Sequence, residues 1–263
     1  MSYSELCITS NFSFLEGASH PEEYAERAIE FGLKSIAIVD KNSISGVVRG
    51  LRLIKEIECD TKSKCSSLKI IPGVTIVTTH RTEITCLART RQGWKNLCKI
   101  LTIGKKNSRK GYSHIDYDSI LKNKDGIIFL AHISEKNHSF SERLGWLRFI
   151  QRLKRNSSIS VYIVMAPRYD GLDEIRFYKI NKFAKNINCE IIASSTPVMH
   201  HGSRRKVKDT LSAIRMKCTI DDLGIESSIN GEQRMRSPHD FATIFKEYPK
   251  AIHNTNFVSD RCS

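Results

Sequence analysis

The chain has 263 residues, of which 40% are hydrophobic, and carries a formal net charge of +14 at pH 7. This length and apolar content can bury a substantial core, which excludes a disordered chain and a peptide-sized binding module. The positive charge attracts polyanions and makes nucleic acid the first candidate partner, although the basic residues are scattered, and a lysine-rich, well-solvated surface is the alternative.

Short β-branched runs alternate with helical patterns along the chain, which is typical of βα units and a parallel sheet. Strands are predicted at Leu6–Thr9, Ser35–Val39, Lys69–Ile71, Val74–Thr79, Glu83–Leu87, Ile127–Ala131, Ser158–Met165 and Glu190–Ala193. Helices are predicted at Pro21–Phe31, with Ser19 as N-cap, and at Ser45–Glu58, Trp94–Ile103, Ser141–Lys154, Asp173–Asn186, Arg204–Ile214, Pro238–Phe245 and Pro249–Asn256. About six βα units favour a closed or nearly closed barrel, in which functional residues lie at the C-terminal ends of strands.

The pattern changes to short helical pieces after Thr219, so we predict a barrel at residues 1–218 and a helical extension at residues 219–263. The eight cysteines form no CxxC pair, which argues against a zinc ribbon or a dithiol redox site. The N-terminus lacks the pattern of a signal peptide, and no run of roughly 18 apolar residues occurs. We therefore expect a cytoplasmic protein that does not contact a membrane.

Residue types that bind metals or act in catalysis follow several predicted strands. Cys7 and Thr9 share one strand face, but a thiolate and a neutral hydroxyl are a poor ligand pair, and packing of a strand end is the favoured interpretation. Asp40 is either a functional carboxylate or an acceptor for the following turn, and Lys41 stands beside it. His132 follows a strongly apolar strand and is the strongest single candidate ligand, although a lone loop histidine is more often polar surface.

Other sites are less specific. His200 and His201 follow the last predicted strand, and we interpret them as a solvated loop. The chain contains no Walker A loop, GxGxxG, GxSxG or HExxH motif, which argues against nucleotide-loop and serine-nucleophile enzymes. Two local basic clusters occur, one of Lys105, Lys106, Arg109 and Lys110 and one of Arg204, Arg205, Lys206 and Lys208, and all of these residues except Lys208 are candidate DNA contacts.

Several stretches resemble one known family. YSEL at residues 3–6 and SNFSFLEGASHPEE at residues 10–23 resemble the opening of alpha-type subunits of error-prone DNA polymerases. The similarity continues through IAIVD at 36–40, SISGVVR at 43–49, GWKNLC at 93–98, residues 200–211, IR at 214–215, CT at 218–219, SP at 237–238 and DRC at 260–262. It covers essentially the whole chain and identifies it as a module of the PHP (polymerase and histidinol phosphatase) type.

The resemblance implies an α/β fold, a distorted TIM-like (β/α)7 barrel whose active members bind zinc, manganese or magnesium and cleave phosphoesters. The family's ligand positions fall here on Cys7, Thr9, Lys41, Thr75, Thr196 and Val198. Only His132 matches the residue type of a family ligand, and Asp40 matches the acidic residue of the family's motif at that position. Because a metal cluster needs several fixed ligands and an open coordination position, we expect an inactive site without a cofactor. The Lys41 ammonium would supply part of the charge of the lost cation.

The resemblance also implies that the polymerase proper follows the PHP module in a longer chain, so this chain alone should not copy DNA. We expect a non-catalytic structural or interaction module that serves DNA replication, repair and translesion synthesis, with DNA and a polymerase core or other polymerase or repair subunits as partners. Two alternatives stay open. One is a metal-dependent phosphoesterase that trims DNA ends, and the other is a stand-alone basic DNA-binding protein with salt-dependent affinity.

Overall fold

The structure is a computed structural model that describes residues 2–60, 68–106, 108–133, 140–156, 158–228 and 230–262. Its strands are β1 Glu5–Ile8, β2 Ser35–Ile38, β3 Lys69–Val77, β4 Glu83–Ala88, β5 Ile127–Ala131, β6 Ser160–Met165 and β7 Glu190–Ala193. Its α-helices are α1 Pro21–Glu30, α2 Ser45–Asp60, α3 Arg91–Lys106, α4 Tyr117–Lys122, α5 Phe140–Lys154, α6 Asp173–Asn186, α7 Arg205–Met216, α8 Pro238–Ile244 and α9 Pro249–Arg261. In these ranges no helix has both the length and the apolarity needed to cross a bilayer.

The strands form one sheet in the order β1 to β7. Neighbouring strands are parallel except around β4, which is antiparallel to both β3 and β5. A short turn joins β3 to β4, and helices make the other connections between strands. The curled sheet with its covering helices confirms the predicted α/β fold, a distorted TIM-like barrel.

Two buried apolar clusters lie on opposite faces of the sheet because strand side chains alternate in direction. Phe129 of β5 belongs to the outer cluster, which the helices cover, whereas Ile128 and Leu130 belong to the inner cluster. The inner cluster also contains Val258 of α9 and the following Cys262, so the C-terminal helix contributes to the interior of the barrel. The domain boundary at residue 218 stays a prediction.

Helix α9 covers the end of the barrel at which the parallel strands begin. The Lys69 ammonium, at the start of β3, donates to the Ser259 carbonyl at 3.0 Å and also to the Cys262 carbonyl. Arg261 donates to the Ser160 hydroxyl, at the start of β6, at 3.1 Å. Because α9 covers this end of the barrel, the opposite end, at which the parallel strands finish, is the one where a cavity can open.

The two strands predicted on either side of Pro72-Gly73 are a single strand, β3. Its partner changes at this dipeptide, since the residues up to Pro72 pair with β2 and those from Gly73 onward pair with β4. A proline without an N–H is tolerated where the ladder changes sides. A Cβ at Gly73 would lie 2.8 Å from side-chain atoms of Leu87 and Val39, so glycine is needed where β3 changes its partner strand.

Two local details also differ from the sequence prediction. Helix α4 was not predicted because one short turn has no apolar period, yet the Asp116 carboxylate caps it by accepting a backbone N–H at 2.7 Å. The N-cap of α1 is His20 rather than Ser19. The His20 N–H donates to the Glu23 carboxylate at 2.7 Å, whereas the Ser19 hydroxyl hydrogen-bonds with the His200 ring.

The edge strands β1 and β7 are linked by the fully buried carboxylate of Glu5. It accepts hydrogen bonds from the Ser195 N–H at 2.9 Å, from the Ser195 hydroxyl at 2.5 Å, and from the Ser194 hydroxyl. The Cys7 N–H donates to it at 3.3 Å. Burial raises the pKa of Glu5, and these hydrogen bonds only partly oppose the rise.

We predict that Glu5→Gln removes a pH dependence of stability. Because the pKa of Glu5 is higher in the folded state, its proton linkage stabilises the fold fully below pH 4.5, and this contribution is lost as pH rises through the folded-state pKa. The wild-type protein should therefore gain stability relative to the variant as pH falls from 7 toward 4.5. Urea unfolding of both proteins across this range measures the difference, and parallel stability curves would contradict the assignment.

Candidate functional site

A cavity of about 480 Å³ opens at the end of the barrel opposite α9. Part of the lining, such as Thr9, His132 and Ala166, lies just after the last residue of a strand, where a barrel places its functional groups, and α6, α7 and loops supply other lining residues. The positions aligned with family ligands all line it, namely Cys7, Thr9, Lys41, Thr75, His132, Thr196 and Val198. The fold therefore brings these residues together from distant parts of the chain.

Asp40 is buried and is not among the residues that line the cavity. Its Oδ1 accepts from the Ser10 N–H and the Ser13 hydroxyl, both at 2.8 Å, and its Oδ2 accepts from the Ser10 hydroxyl at 2.8 Å. Burial raises the pKa of Asp40, and these hydrogen bonds oppose the rise. The geometry favours the acceptor role for Asp40, but its partners belong to the loop before α1 and not to the turn after β2.

Lys41 forms close ion pairs with both carboxylates that line the cavity. Its Nζ lies 2.6 Å from Glu16 Oε2 and 2.8 Å from Glu83 Oε1. Burial lowers the pKa of Lys41, but the Glu83 and Glu16 carboxylates outweigh it, so the pKa is raised overall. A charged ammonium thus joins two carboxylates from different segments at a position where the family has a histidine ligand.

Of two cavity side chains that metals commonly bind, His132 is engaged in a hydrogen bond and Cys7 is protonated. The His132 Nε2 hydrogen-bonds with the Thr85 hydroxyl at 2.8 Å, and that hydroxyl hydrogen-bonds with the Thr75 hydroxyl at 2.8 Å. Burial lowers the pKa of His132, and the nearby Lys41 lowers it further against the opposing effect of Glu83. Burial raises the pKa of the Cys7 thiol, so it stays protonated instead of forming a thiolate ligand.

The side chains in the cavity do not fit a PHP-type metal cluster. Within the described ranges, no three His, Cys, Asp or Glu side chains are arranged to hold a metal ion. The two carboxylates that line the cavity, Glu16 and Glu83, are already paired with Lys41. Threonine and valine at the other family positions offer neutral, weak donors or none.

The charged residues of the cavity lining are mainly cationic, with two carboxylates among them. The cationic residues are Lys41, Arg81, Arg168, Arg176, Lys208 and Arg215. The sequence analysis did not single out the arginines, because they come from separate loops and helices and follow no spacing. It also missed both carboxylates, although Glu83 shares a face of β4 with Thr85, which strand alternation indicates.

The candidate DNA-contacting residues lie outside the cavity lining, whereas Lys208, the last residue of the second basic cluster, lines it. Exposed side chains at the end of α3 and in the loop after it comprise Lys105, Lys106, Arg109 and Lys110. In the second cluster, Arg204 pairs with Glu23, Arg205 lies 3.5 Å from Asp209, and Lys206 is exposed.

The neighbouring histidines differ from each other. His201 is exposed, as expected of a solvated loop, and its Nδ1 accepts the Ser203 N–H at 3.2 Å. His200 is half-buried and hydrogen-bonds with Ser19, so the expectation of a solvated side chain was wrong for this residue. Burial lowers the pKa of His200, against the opposing effect of the nearby Glu23.

Comparison with known proteins identifies the family. Residues 5–171 match the PHP domain. The chain is 32% identical over 292 residues to an error-prone DNA polymerase of Ruegeria pomeroyi, which covers 100% of this chain and 26% of that protein. An error-prone DNA polymerase of a Bradyrhizobium species is 30% identical over 266 residues, covering 98% of this chain and 22% of the relative. The chain thus spans about a quarter of the length of these curated relatives.

One solved structure with a similar fold is an amidohydrolase from Chromobacterium violaceum. It is 12% identical in sequence, with a TM-score of 0.48, and the match covers 74% of this chain and 87% of the amidohydrolase. The family assignment depends instead on the PHP match, which includes more than half of the chain. The chain therefore belongs to the PHP domain family.

Proposed function

We propose that this chain is a non-catalytic structural or interaction module of a cytoplasmic error-prone DNA polymerase system. The observation that carries the proposal is the Lys41 ammonium held between Glu16 and Glu83 in the cavity. Relatives named error-prone DNA polymerase match along the whole chain, which supports a role in replication, repair and translesion synthesis. The proposed partners are DNA and a polymerase core or another polymerase or repair subunit.

The chemistry of the cavity supports the proposed absence of catalysis. Metal-assisted hydrolysis needs several fixed ligands that leave one coordination position open for water. Here the ammonium of Lys41 already pairs with both carboxylates that line the cavity, and the His132 ring is engaged with Thr85. We therefore propose that the module holds no resident zinc, manganese or magnesium. We also propose that it lacks the polymerase active site, which the family carries in its polymerase core.

DNA contact is proposed for the basic cluster after α3. Lys105, Lys106, Arg109 and Lys110 are exposed, so a phosphate backbone can reach them. In the second cluster, Arg204 is paired with Glu23, which reduces the positive charge available to DNA. Lys105 and Lys106 also lie in the last turn of α3, where a cation stabilises the helix dipole, so a purely structural role is the alternative for this pair.

We predict that purified protein contains far less than one metal ion per chain and does not hydrolyse a generic phosphoester with added manganese or zinc. Plasma mass spectrometry and a colorimetric hydrolysis assay make the measurements. A variant that restores family ligands, Cys7→His/Thr9→His/Lys41→His/Thr75→Glu, is the positive control and should raise metal content. Stoichiometric metal with turnover that His132→Ala abolishes would instead make the wild-type chain a phosphoesterase.

We predict that Lys41→Met lowers the free energy of unfolding by about 1–2 kcal/mol, because it leaves two neighbouring carboxylates without their shared cation. Adding Glu83→Gln should recover part of the loss. The control is Arg49→Met, which breaks a more exposed pair with Glu22 and should have an effect below about 0.5 kcal/mol. Urea unfolding measures the stability of all four proteins. Unchanged stability of Lys41→Met would contradict the proposal that the Lys41 ammonium supplies part of the charge of a lost cation.

We predict that Lys105→Ala/Lys106→Ala weakens binding to duplex DNA and flattens its dependence on salt. Each lost phosphate contact should reduce the slope of log affinity against log salt by about 0.9. Fluorescence anisotropy between 50 and 200 mM salt, roughly the range over which such effects are large, measures the slope. Arg204→Ala/Arg205→Ala removes the same charge at ion-paired positions and should change the slope less. Equal slopes for all three proteins would argue against the α3 cluster.

A further inference from the structure

The cavity carries more positive charge than its carboxylates neutralise. Glu16 and Glu83 are both engaged by Lys41, and Glu16 Oε1 lies 3.9 Å from Arg215 Nη1. A single carboxylate therefore faces two cations, at 2.6 Å and 3.9 Å. Lys208 and Arg81 also line the same cavity, so its lining has an excess of cations.

Lys208 and Arg215 come from the same side of α7, since residues seven apart lie on one helix face. The Lys208 ammonium donates to the Ser212 hydroxyl at 2.8 Å, a neutral partner. Burial lowers the pKa of Lys208, and the neighbouring charge of Arg215 lowers it further against the opposing effect of Glu16. Two like charges that face one cavity are an arrangement that a bound anion would stabilise.

Neutral polar groups and unusual backbone complete the site. Thr9, Thr196 and Gln233 line the cavity beside the cations. Thr196 has a φ of 41° and Arg81 a φ of 57°, so two lining residues adopt the left-handed region that non-glycine residues rarely occupy. Such strained residues concentrate at ligand-binding sites. The volume of about 480 Å³ suits a small molecule, since ligand pockets span roughly 300–1,000 Å³.

We propose that this cavity binds a phosphate group without a metal ion, with Lys208 and Arg215 as the principal cationic contacts and Arg81 as a third. A phosphate monoester offers several acceptor oxygens and up to two negative charges, which match a set of ammonium and guanidinium donors. The inference rests on the proposed loss of metal catalysis, because the bound phosphate would be held and not hydrolysed. A free nucleotide and the phosphorylated end of a DNA strand share this chemistry.

Isothermal titration calorimetry of the full chain in the presence of a chelator tests the proposal. Thymidine monophosphate should bind saturably with one site per chain, whereas thymidine, which lacks the phosphate, should not. Inorganic phosphate and a pair of oligonucleotides, with and without a terminal phosphate, identify the source of the group. Tighter binding of the phosphorylated oligonucleotide would identify a DNA end as the ligand. Tighter binding of the monophosphate would identify a free nucleotide.

Lys208→Met and Arg215→Met keep the apolar stems and remove the charges. Each should weaken binding of thymidine monophosphate by about tenfold, as expected for the loss of a charge-assisted hydrogen bond. The control Lys105→Met/Lys106→Met removes two charges outside the cavity and should leave the affinity unchanged. Arg81→Met is a third variant if either α7 variant fails to fold in a thermal melt.

The possible failures separate the two proposals. Binding of thymidine monophosphate only after manganese is added would overturn the metal-free site, and hydrolysis of the monophosphate under the same conditions would overturn the non-catalytic function. Absence of binding by folded protein, with or without manganese, would overturn this inference alone. Equal weakening by the cavity variants and by Lys105→Met/Lys106→Met would also overturn it, because the attraction would then be a property of the whole basic surface.

Discussion

The buried Glu5 carboxylate is the interaction on which the arrangement of the cavity depends. It lies in the first strand of the sheet and accepts hydrogen bonds from Ser194 and Ser195, directly after the last strand. Thr9 and Thr196, which line the cavity, are close in sequence to these contacts. A charged or neutral carboxylate in the core requires such donors, since an unsatisfied buried polar group is strongly destabilising. The link that joins the sheet edges therefore also positions two walls of the cavity.

Glu5, Asp40 and Lys41 are ionisable residues near strand ends, and they are stabilised in different ways. Glu5 and Asp40 are buried carboxylates surrounded by serine donors, and burial raises the pKa of each. Lys41 is instead stabilised by charge, because Glu16 and Glu83 hold it from both sides. Serine donors and an internal cation satisfy these groups without an external ion. This division explains how a PHP barrel can keep its architecture where the ligands of a metal cluster are missing.

The proposed loss of hydrolysis and the proposed phosphate site have a common electrostatic origin. A metal cluster concentrates positive charge at the floor of a site and requires several fixed ligands around it. In this cavity the two carboxylates are already paired with Lys41, while Lys208 and Arg215 supply positive charge from α7. On these two proposals, the cavity keeps the polarity suited to a phosphate but not the coordination chemistry needed to cleave it. On the same proposals, the cavity resembles a binding site more than an active site.

The sequence by itself determined the alternation of strands and helices, including the bounds of β5, β7 and α6, because local periodicity is a short-range property. Its resemblance to a family also indicated which positions would meet at the strand ends. Only the tertiary structure decided that β3 continues through Pro72, which donors surround Glu5, and which carboxylates pair with Lys41. These features join residues far apart in the chain, and the free energy of burying a charge depends on neighbours that no local pattern specifies.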